Sequence, residues 1–179
     1  TTPWLSRWAR QVVVRQHLKG LFFHAFDNPR EEGFPKFKLV IRVEVLPSHK
    51  NIDDPLHEML IIHKKGMYCQ PHKHLNKSES FHMIEGRIKV VLFDNDGVIL
   101  QAITMGISEP DETLFYRISE PIYHMVILES DFAVYHEVTN GPFQKEDSLF
   151  APWAPADNQD KVAQQEFMST VLTNKQIAV

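Results

Sequence analysis

The middle of the chain alternates apolar and polar positions over short stretches, which is the pattern of half-buried β-strands. Turn residues separate these stretches at about eight- to twelve-residue spacing, a pattern typical of a β-sandwich or barrel. The strongest turn signal is Asp94-Asn95-Asp96-Gly97, since Asn, Asp and Gly tolerate positive φ. The sequence therefore predicts an all-β domain with strands at 38–46 (ended by Pro47), 56–63, 88–93, 98–103, 113–118, 123–129 and 132–139.

Helical periodicity is confined to the two ends of the chain. The first stretch suggests a short amphipathic helix that docks on the domain or on a second subunit; its apolar stripe is Trp4, Leu5, Trp8 and Val12. The second stretch predicts a helix that begins at a cap at Asp157 or Asn158 and ends near Thr173; its apolar positions are Ala163, Phe167, Met168, Val171 and Leu172. We expect an N-terminal extension at 1–48, a barrel at 49–156, and a C-terminal helix and tail at 157–179.

Composition narrows the class of protein. At 179 residues the chain is the size of one domain. Lys and Arg number 19 against 23 Asp and Glu, a formal net charge of −4 without a long basic block, so nucleic acid is not the expected partner. No apolar run reaches the roughly 18 residues of a membrane span, and no signal peptide is evident. Together with the single Cys69, which we expect to be a buried small hydrophobe, this favours a soluble cytoplasmic protein.

Candidate chemistry concentrates between Gly66 and Gly86, within a segment that otherwise predicts two β-strands. His72 and His74 are one residue apart, so in an extended strand both side chains point to the same face. Glu79 can join them from the next strand. His124 begins an apolar strand, where a histidine is an unusual choice for a buried face, and is the candidate fourth ligand.

The spacing of these residues resembles the first cupin motif at every position. Five residues separate Gly66 from His72, four separate His74 from Glu79, and six separate Glu79 from Gly86. The second cupin motif is degenerate, because Pro121 precedes His124 by three residues but Leu128 stands where the family usually has Asn. The resemblance implies a cupin-type jelly-roll β-barrel, to which the periodicity adds short N- and C-terminal helices.

One subgroup resembles the chain more closely, over roughly residues 49 to 160. The segments that are similar to WbuC-family cupin metalloproteins are Asp54-Pro55, Lys77-Ser78-Glu79-Ser80-Phe81, Phe93-Asp94-Asn95-Asp96-Gly97, Tyr123-His124, Gly141-Pro142-Phe143 and Phe150-Ala151-Pro152-Trp153-Ala154-Pro155. This resemblance implies a metal bound inside the barrel by His72, His74, Glu79 and His124.

The donor set suits one divalent transition metal. Neutral imidazoles with a carboxylate favour Fe(II) in our interpretation, while Mn, Ni, Zn and Cu remain possible ions for the same ligands. Four protein ligands on an ion that accepts six leave about two positions for water, dioxygen or substrate.

Strand alternation suggests further residues around the metal. If His72 and His74 face inward, so do Gln70 and Tyr68. Gln70 could then hydrogen-bond a metal ligand or a bound water. Tyr68 could be an acid, a substrate contact or an aromatic side chain that fills the barrel. On the last strand Tyr135 and Glu137 share one face, and a one-residue slip in register would replace them with His136. We treat Tyr68, Gln70, Tyr135 and Glu137 as candidate catalytic or substrate-contacting residues.

Three functions remain open on this reasoning. The first is a metal-dependent enzyme on a small organic molecule, an Fe(II)-type oxidoreductase of the dioxygenase kind. The second is a sugar-pathway isomerase or epimerase, since the WbuC resemblance implies a link to surface-polysaccharide biosynthesis; such cupins generally use a His base and a Tyr acid without a metal. The third is a non-catalytic metal- or ligand-binding cupin. In each case we expect a small-molecule partner and a homodimer.

Overall fold

The computed structural model describes residues 12–17, 20–25, 44–158 and 160–174, with side chains described from residue 45 onward. The chain forms two compact units, Thr1–Val40 and Ile41–Val179. The described part of the first unit is an antiparallel pair, β1 (Val12–His17) and β2 (Gly20–Ala25). The helix predicted from Trp4, Leu5 and Trp8 lies outside the described residues, whereas Val12, the last position of its stripe, is the first residue of β1.

The second unit contains ten strands, one short 3-10 turn and one α-helix among its described residues. The strands are β3 (Glu44–Pro47), β4 (Leu56–Lys64), β5 (His72–His74), β6 (Glu79–Glu85), β7 (Ile88–Phe93), β8 (Ile99–Met105), β9 (Phe115–Ile118), β10 (Tyr123–Leu128), β11 (Phe132–Asn140) and β12 (Ser148–Phe150). The turn is Lys145–Asp147, and the helix, α1, is Lys161–Thr173. The predicted strands from 56 onward are confirmed to within two residues at their ends. Residues 38–43 of the first predicted strand lie outside the described ranges.

The strands form two antiparallel five-stranded sheets. One has the order β3-β4-β11-β6-β9 and the other the order β12-β5-β10-β7-β8. The eight strands from β4 to β11 divide between the sheets as β4-β11-β6-β9 and β5-β10-β7-β8, which is the double Greek key of a jelly roll. The predicted all-β jelly roll with a C-terminal helix is confirmed. Because β3 pairs with β4, residues 44–47 belong to the sheet, although the sequence assigned them to the extension.

The core has two layers, one on each face of β10. Val126 and Leu128 pack between the sheets, while Met125 and Ile127 point to the other face, where they meet α1 and the segment around Trp153. All six residues of β10 are buried, which explains why its sequence is a nearly continuous apolar run instead of an alternating one. His124 is therefore placed in a strand that is enclosed on both sides.

Helix α1 begins later than the sequence predicts. Its cap is Asp160, whose side chain accepts a hydrogen bond from the backbone N–H of Val162. The predicted caps Asp157 and Asn158 were wrong. Asp157 instead accepts from the backbone N–H of Gln70, which ties the approach to the helix to the segment before β5. No helix in the described ranges is both long enough and apolar enough to cross a membrane.

The turn between β7 and β8 is confirmed as a hairpin. The Asp94 carboxylate accepts from the backbone N–H groups of Asp96 and Val98, and Gly97 has a φ of +86°. Trp153 lies directly over Gly97, because a Cβ atom built there would be 2.8 Å from the indole ring.

Gly86, the last residue of the cupin-like motif, offers a test of the packing between β6 and β11. It has a φ of +79°, and a Cβ atom there would overlap the carbonyl oxygen of Phe132 and lie 2.9 Å from Cα of Ala133. Gly66 has a similar φ of +83° but nothing within 4 Å of its Cβ position.

We predict that Gly66→Ala lowers the free energy of unfolding by about 1–2 kcal/mol through backbone strain alone. Gly86→Ala should lower the free energy of unfolding by about 1–3 kcal/mol more than Gly66→Ala does, because of the added overlap. Urea unfolding of the two variants measures the difference, and equal losses would contradict it.

Candidate metal centre

Two adjacent strands of one sheet bring three histidines together. His72 of β5 pairs directly with His124 of β10, and their rings are 4.6 Å apart. His74 lies two residues along on the same face of β5, with its ring 5.0 Å from that of His72 and 5.6 Å from that of His124. The one-residue spacing that predicted a shared face is confirmed.

Glu79 approaches these histidines from the opposite sheet, as the first residue of β6. Its Oε2 atom is 2.9 Å from Nε2 of His124 and 3.7 Å from Nε2 of His74. One donor atom from each of the four residues lies within 4.8 Å of the other three, so the group could hold a metal ion. We call His72, His74, Glu79 and His124 the four-donor cluster.

Hydrogen bonds at Nδ1 orient the imidazoles. Nδ1 of His72 is 2.9 Å from the carbonyl oxygen of Gln70, and Nδ1 of His124 is 3.1 Å from that of Ile122. Because a carbonyl only accepts, both Nδ1 atoms carry a proton, so each ring turns its Nε2 towards the cluster, and neutral His72 keeps a lone pair there. Nδ1 of His74 makes a 3.0 Å hydrogen bond with the hydroxyl of Ser148. Metal-ligating histidines are commonly fixed by such a bond at the other ring nitrogen.

Burial and mutual charge determine how the cluster is protonated. Burial lowers the pKa of His72 to about 4, helped by the charge of His124, and burial also lowers the pKa of His74. Burial disfavours the charged form of His124 too, but the Glu79 carboxylate outweighs that effect and raises the pKa of His124. Burial would raise the pKa of Glu79, but the three imidazoles outweigh it and lower that pKa to about 2. Glu79 is therefore a carboxylate, and His72 and His74 are neutral at neutral pH, as metal ligands must be.

The donor atoms of the cluster fit a transition-metal ion. Oε2 of Glu79 and Nε2 of His124 are buried and make no aligned hydrogen bond, although they are only 2.9 Å apart. The two atoms face each other as an ion pair instead, and both are of the kinds that bind transition metals. Three imidazole nitrogens and a carboxylate oxygen do not distinguish Fe(II) from Mn, Ni, Zn or Cu.

The interior face of β11 continues the polar wall next to Glu79. Burial, the charge of Glu79 and a hydrogen bond between the two carboxyl groups raise the pKa of Glu137 well above its usual range, so Glu137 is the protonated partner. Two residues along, Thr139 pairs directly with Glu79, and its buried hydroxyl has no hydrogen-bond partner. Glu137 thus lies beside the cluster, on the face of β11 that strand alternation assigned to it and Tyr135, whereas no local pattern pointed to Thr139.

Gln70 and Tyr68 do not follow the predicted alternation, because β5 begins only at His72 and residues 67–71 are not extended strand. The Gln70 side chain is buried and donates to the carbonyl oxygen of Ala151, while the backbone carbonyl oxygen of Gln70 orients His72. The Tyr68 hydroxyl donates to the carbonyl oxygen of Pro155, and its ring packs edge-on against Phe167 of α1. Tyr68 lines a surface cleft of about 290 Å³ beside α1, which contains no residue of the four-donor cluster.

Tyr135 faces the interior but contacts a different histidine. Its ring lies against Phe81, and its hydroxyl is 3.4 Å from Nδ1 of His63. Nε2 of His63 is buried and has no hydrogen-bond partner. His136, the alternative considered for a register slip, is half-buried on the other face of β11, with Nε2 3.9 Å from the Glu58 carboxylate. Within the described part of the chain, the Tyr135 hydroxyl and the His136 imidazole therefore pair with His63 and Glu58 and not with the four-donor cluster.

The single cysteine is not part of the chemistry. Burial raises the pKa of Cys69 to about 12, so its side chain remains a thiol, and its Sγ donates weakly to the carbonyl oxygen of Gln70 at 4.0 Å. The sequence predicted a buried small hydrophobe instead of a ligand. Cys69 is only partly buried, and it belongs to no metal-binding cluster of the described residues.

The short strand β12 supplies contacts that local patterns could not reveal. It pairs with β5 in the register Ser148 to His74 and Phe150 to His72. Phe150 lies with its ring 5.9 Å from that of His72 and is 52% exposed, so it marks where the cluster approaches the surface. These partners are more than 70 residues apart in the sequence, and their only signal was the family resemblance of the Phe150 segment.

Sequence comparison relates part of the chain to an uncharacterised family. A family model described as a domain of unknown function, DUF6016, matches residues 44–105, from β3 to the end of β8, and includes His72, His74 and Glu79. No curated protein matches the chain in sequence. The WbuC-family resemblance therefore stays a prediction.

Structural comparison finds several distant similarities. A protein from Shewanella oneidensis aligns with a TM-score of 0.48 and 11% identity, over 76% of this chain and 77% of that one. CapF aligns with a TM-score of 0.47 and 19% identity, over 60% of this chain and 34% of CapF. Oxalate decarboxylase from Bacillus subtilis aligns with a TM-score of 0.44 and 19% identity, over 55% of this chain and 24% of that enzyme. The chain thus spans about a third of CapF and about a quarter of the decarboxylase, and its own strand order remains the evidence for its fold.

The buried His63 makes stability depend on pH. Burial lowers its pKa from 6.5 to about 4, so the unfolded chain binds this proton more readily than the folded protein does. The stability that neutral His63 contributes is therefore complete above pH 6.5 and is lost as pH falls towards 4. We predict that His63→Gln reduces the loss of unfolding free energy between pH 7 and pH 4.5 by about 2–3 kcal/mol, measured by urea unfolding in EDTA. The exposed His82→Gln is the control, and the same pH dependence in wild type and His63→Gln would contradict the prediction.

Proposed function

We propose that this chain binds one divalent transition metal through His72, His74, Glu79 and His124 and acts as an Fe(II)-type oxidoreductase on a small organic molecule. The observation that carries the proposal is the four-donor cluster, in which one donor atom from each residue lies within 4.8 Å of the others. Structural zinc sites are usually closed by four ligands in a tetrahedron, but an ion that accepts six ligands would keep about two open positions here. An open position is what a catalytic metal needs.

The bound ion would supply a centre at which dioxygen and an organic substrate are held side by side. The chain's own residues prepare that centre. Hydrogen bonds to Gln70 and Ile122 hold His72 and His124 in the tautomer that presents Nε2, and the Glu79 carboxylate offsets part of the charge of a dication.

The surroundings of the cluster favour an organic substrate over an inorganic ion. Phe81 is buried next to Glu137, and the partly buried Met59, Tyr116 and Ile122 pack against the same interior core. These side chains exclude water from the space between the sheets, while the exposed Phe150 offers an aromatic surface beside His72. Pockets that bind small organic molecules are typically lined in this way, by apolar groups with a few polar ones.

Metal binding is the first test of the proposal. We predict that the wild-type chain, purified without a His tag and stripped with EDTA, binds one equivalent of Fe(II), Mn(II) or Co(II) in anaerobic calorimetry. His74→Ala and His124→Ala should each weaken binding by more than about 100-fold, since loss of even an outer-shell partner costs about 10–100-fold.

The matched control for both variants is His82→Ala, which removes an exposed imidazole from the outward face of β6. Unfolding curves of the metal-free variants show whether His124→Ala still folds; His74 is only half-buried, so its variant keeps the test informative. Unchanged affinity in both variants would contradict the proposed ligands.

Oxygen use is the second test. With Fe(II) bound, we predict that the protein consumes dioxygen when a suitable small organic substrate is present, and that the Zn(II) form does not, because Zn(II) has no redox chemistry. An oxygen electrode with a panel of enols, catechols and thiols measures this. Metal binding with no turnover on any substrate class would favour the non-catalytic cupin instead.

The sugar isomerase or epimerase receives less support. That chemistry uses a His base and a Tyr acid, yet the Tyr68 hydroxyl is bonded to Pro155 and the Tyr135 hydroxyl is paired with His63. Isomerase activity that survives EDTA would restore this alternative.

A homodimer also remains a prediction. Two apolar side chains at the start of the edge strand β9, Leu114 just before it and Phe115 in it, are 49% and 55% exposed, and a second copy could cover them. Sedimentation equilibrium tests it, and a monomer at micromolar concentration would contradict it.

A further inference from the structure

Buried side-chain atoms that make no hydrogen bond concentrate at one place in the described part of the chain. Five buried side-chain oxygen or nitrogen atoms there have no hydrogen-bond partner. Two of them, Oε2 of Glu79 and Nε2 of His124, are explained by the proposed metal. A third, Oγ1 of Thr139, lies across from Glu79 but belongs to a side chain that is a poor metal ligand.

The register of the sheet places Thr139 in the wall of the metal centre. Thr139 and Glu79 are direct partners in the pairing of β11 with β6, so their Cβ atoms are about 4.5–5.5 Å apart on the same face. That face is the interior one, because Tyr135 on β11 and Phe81 and Met83 on β6 lie in the core between the sheets. The Thr139 hydroxyl therefore stands beside the cluster and not on the outside of the barrel.

The neighbours of Thr139 do not use its hydroxyl. On β4 its partner is His57, whose Nε2 is 3.2 Å from the carbonyl oxygen of Ile52 and whose ring stacks on that of His49. Beyond Glu79 in the same row is Ile118, which is apolar. Glu137, two residues back on β11, has its carboxyl group engaged with Glu79. A buried hydroxyl without a partner is costly, so a group that arrives with the ligand is the natural partner.

We propose that the Thr139 hydroxyl donates a hydrogen bond to a small ligand bound at an open position of the metal. This rests on the proposed metal binding and adds a ligand-binding position beside Glu79. The ligand class is a small molecule or anion that offers a lone pair next to its metal-bound atom, such as azide, a carboxylate or an enolate oxygen. Thr139 is a positioning residue in this proposal, since it holds the ligand's orientation and is not itself a metal ligand.

Azide binding to the Co(II)-loaded protein tests the proposal without any need for turnover. Azide shifts the visible spectrum of a Co(II) site that has an open position, so its dissociation constant can be read directly. We expect Thr139→Val, which has nearly the same shape but no hydroxyl, to bind Co(II) with wild-type affinity and azide about tenfold more weakly. Thr139→Ser restores the hydroxyl and should bind azide within about threefold of wild type.

The matched control is Thr104→Val, the same chemical change on β8. Its neighbours Ile103 and Met105 face the interior core, so Thr104 points to the opposite face. The azide affinity of Thr104→Val should therefore equal that of wild type.

Equal azide affinity in Thr139→Val and wild type would overturn the inference while leaving the metal site intact. A Thr139→Val variant that loses Co(II) affinity without further loss of azide affinity would also overturn it, because the hydroxyl would then serve Glu79. Absence of Co(II) binding in the wild type would overturn both proposals.

Discussion

The packing of one sheet against the other is the constraint on which the candidate centre depends, because its four donors come from both sheets. The three histidines belong to β5 and β10, and Glu79 belongs to β6 in the opposite sheet. The apolar side chains between the sheets set the separation at which Oε2 of Glu79 lies 2.9 Å from Nε2 of His124. Close-packed cores transmit small changes in volume. A substitution in this core would therefore move Glu79 relative to the histidines even when it lies far from them in the sequence.

The buried polar atoms of the centre destabilise the metal-free fold locally, and apolar burial in the rest of the fold offsets that loss. Glu79 and His124 are 6% and 2% exposed, and each has a buried atom without an aligned hydrogen bond. Taking such charged and polar atoms out of water costs free energy, whereas each fully buried large apolar side chain stabilises the fold by about 1.5–3 kcal/mol. The two core layers around β10 contain many such buried apolar side chains. An ion that bound only the folded state would use the unpartnered atoms and add its own stabilisation by mass action.

Much of the fold could be predicted from sequence because its signals are local. The Asp94 to Gly97 turn, the strand alternation around it and the spacing of His72, His74 and Glu79 each depend on a few neighbouring residues. The resemblance to cupin motifs then indicated the jelly roll, and His124 was chosen because a histidine in an apolar strand needs a reason. In the structure His124 pairs with His72 and lies in the four-donor cluster.

The remaining features depend on contacts that no local pattern encodes. Tyr68 was assigned to the interior by extending strand alternation past the start of β5, where the chain is no longer extended. The cap of α1 was placed at Asp157 or Asn158, because Asp and Asn both suit a helix start. No local pattern shows that Asp157 accepts from Gln70 and that Asp160 caps the helix instead. Ser148 and Thr139 became visible only once the sheets fixed which residues lie opposite His74 and Glu79.

The most direct measurement of the central claim is the position of a metal ion in crystals of the replete protein, located by anomalous scattering at the absorption edge of that metal. The account predicts one anomalous peak, within bonding distance of an imidazole nitrogen from each of His72, His74 and His124 and of a carboxylate oxygen of Glu79. A replete crystal with no peak between the sheets, or an ion bound elsewhere on the chain, would contradict it.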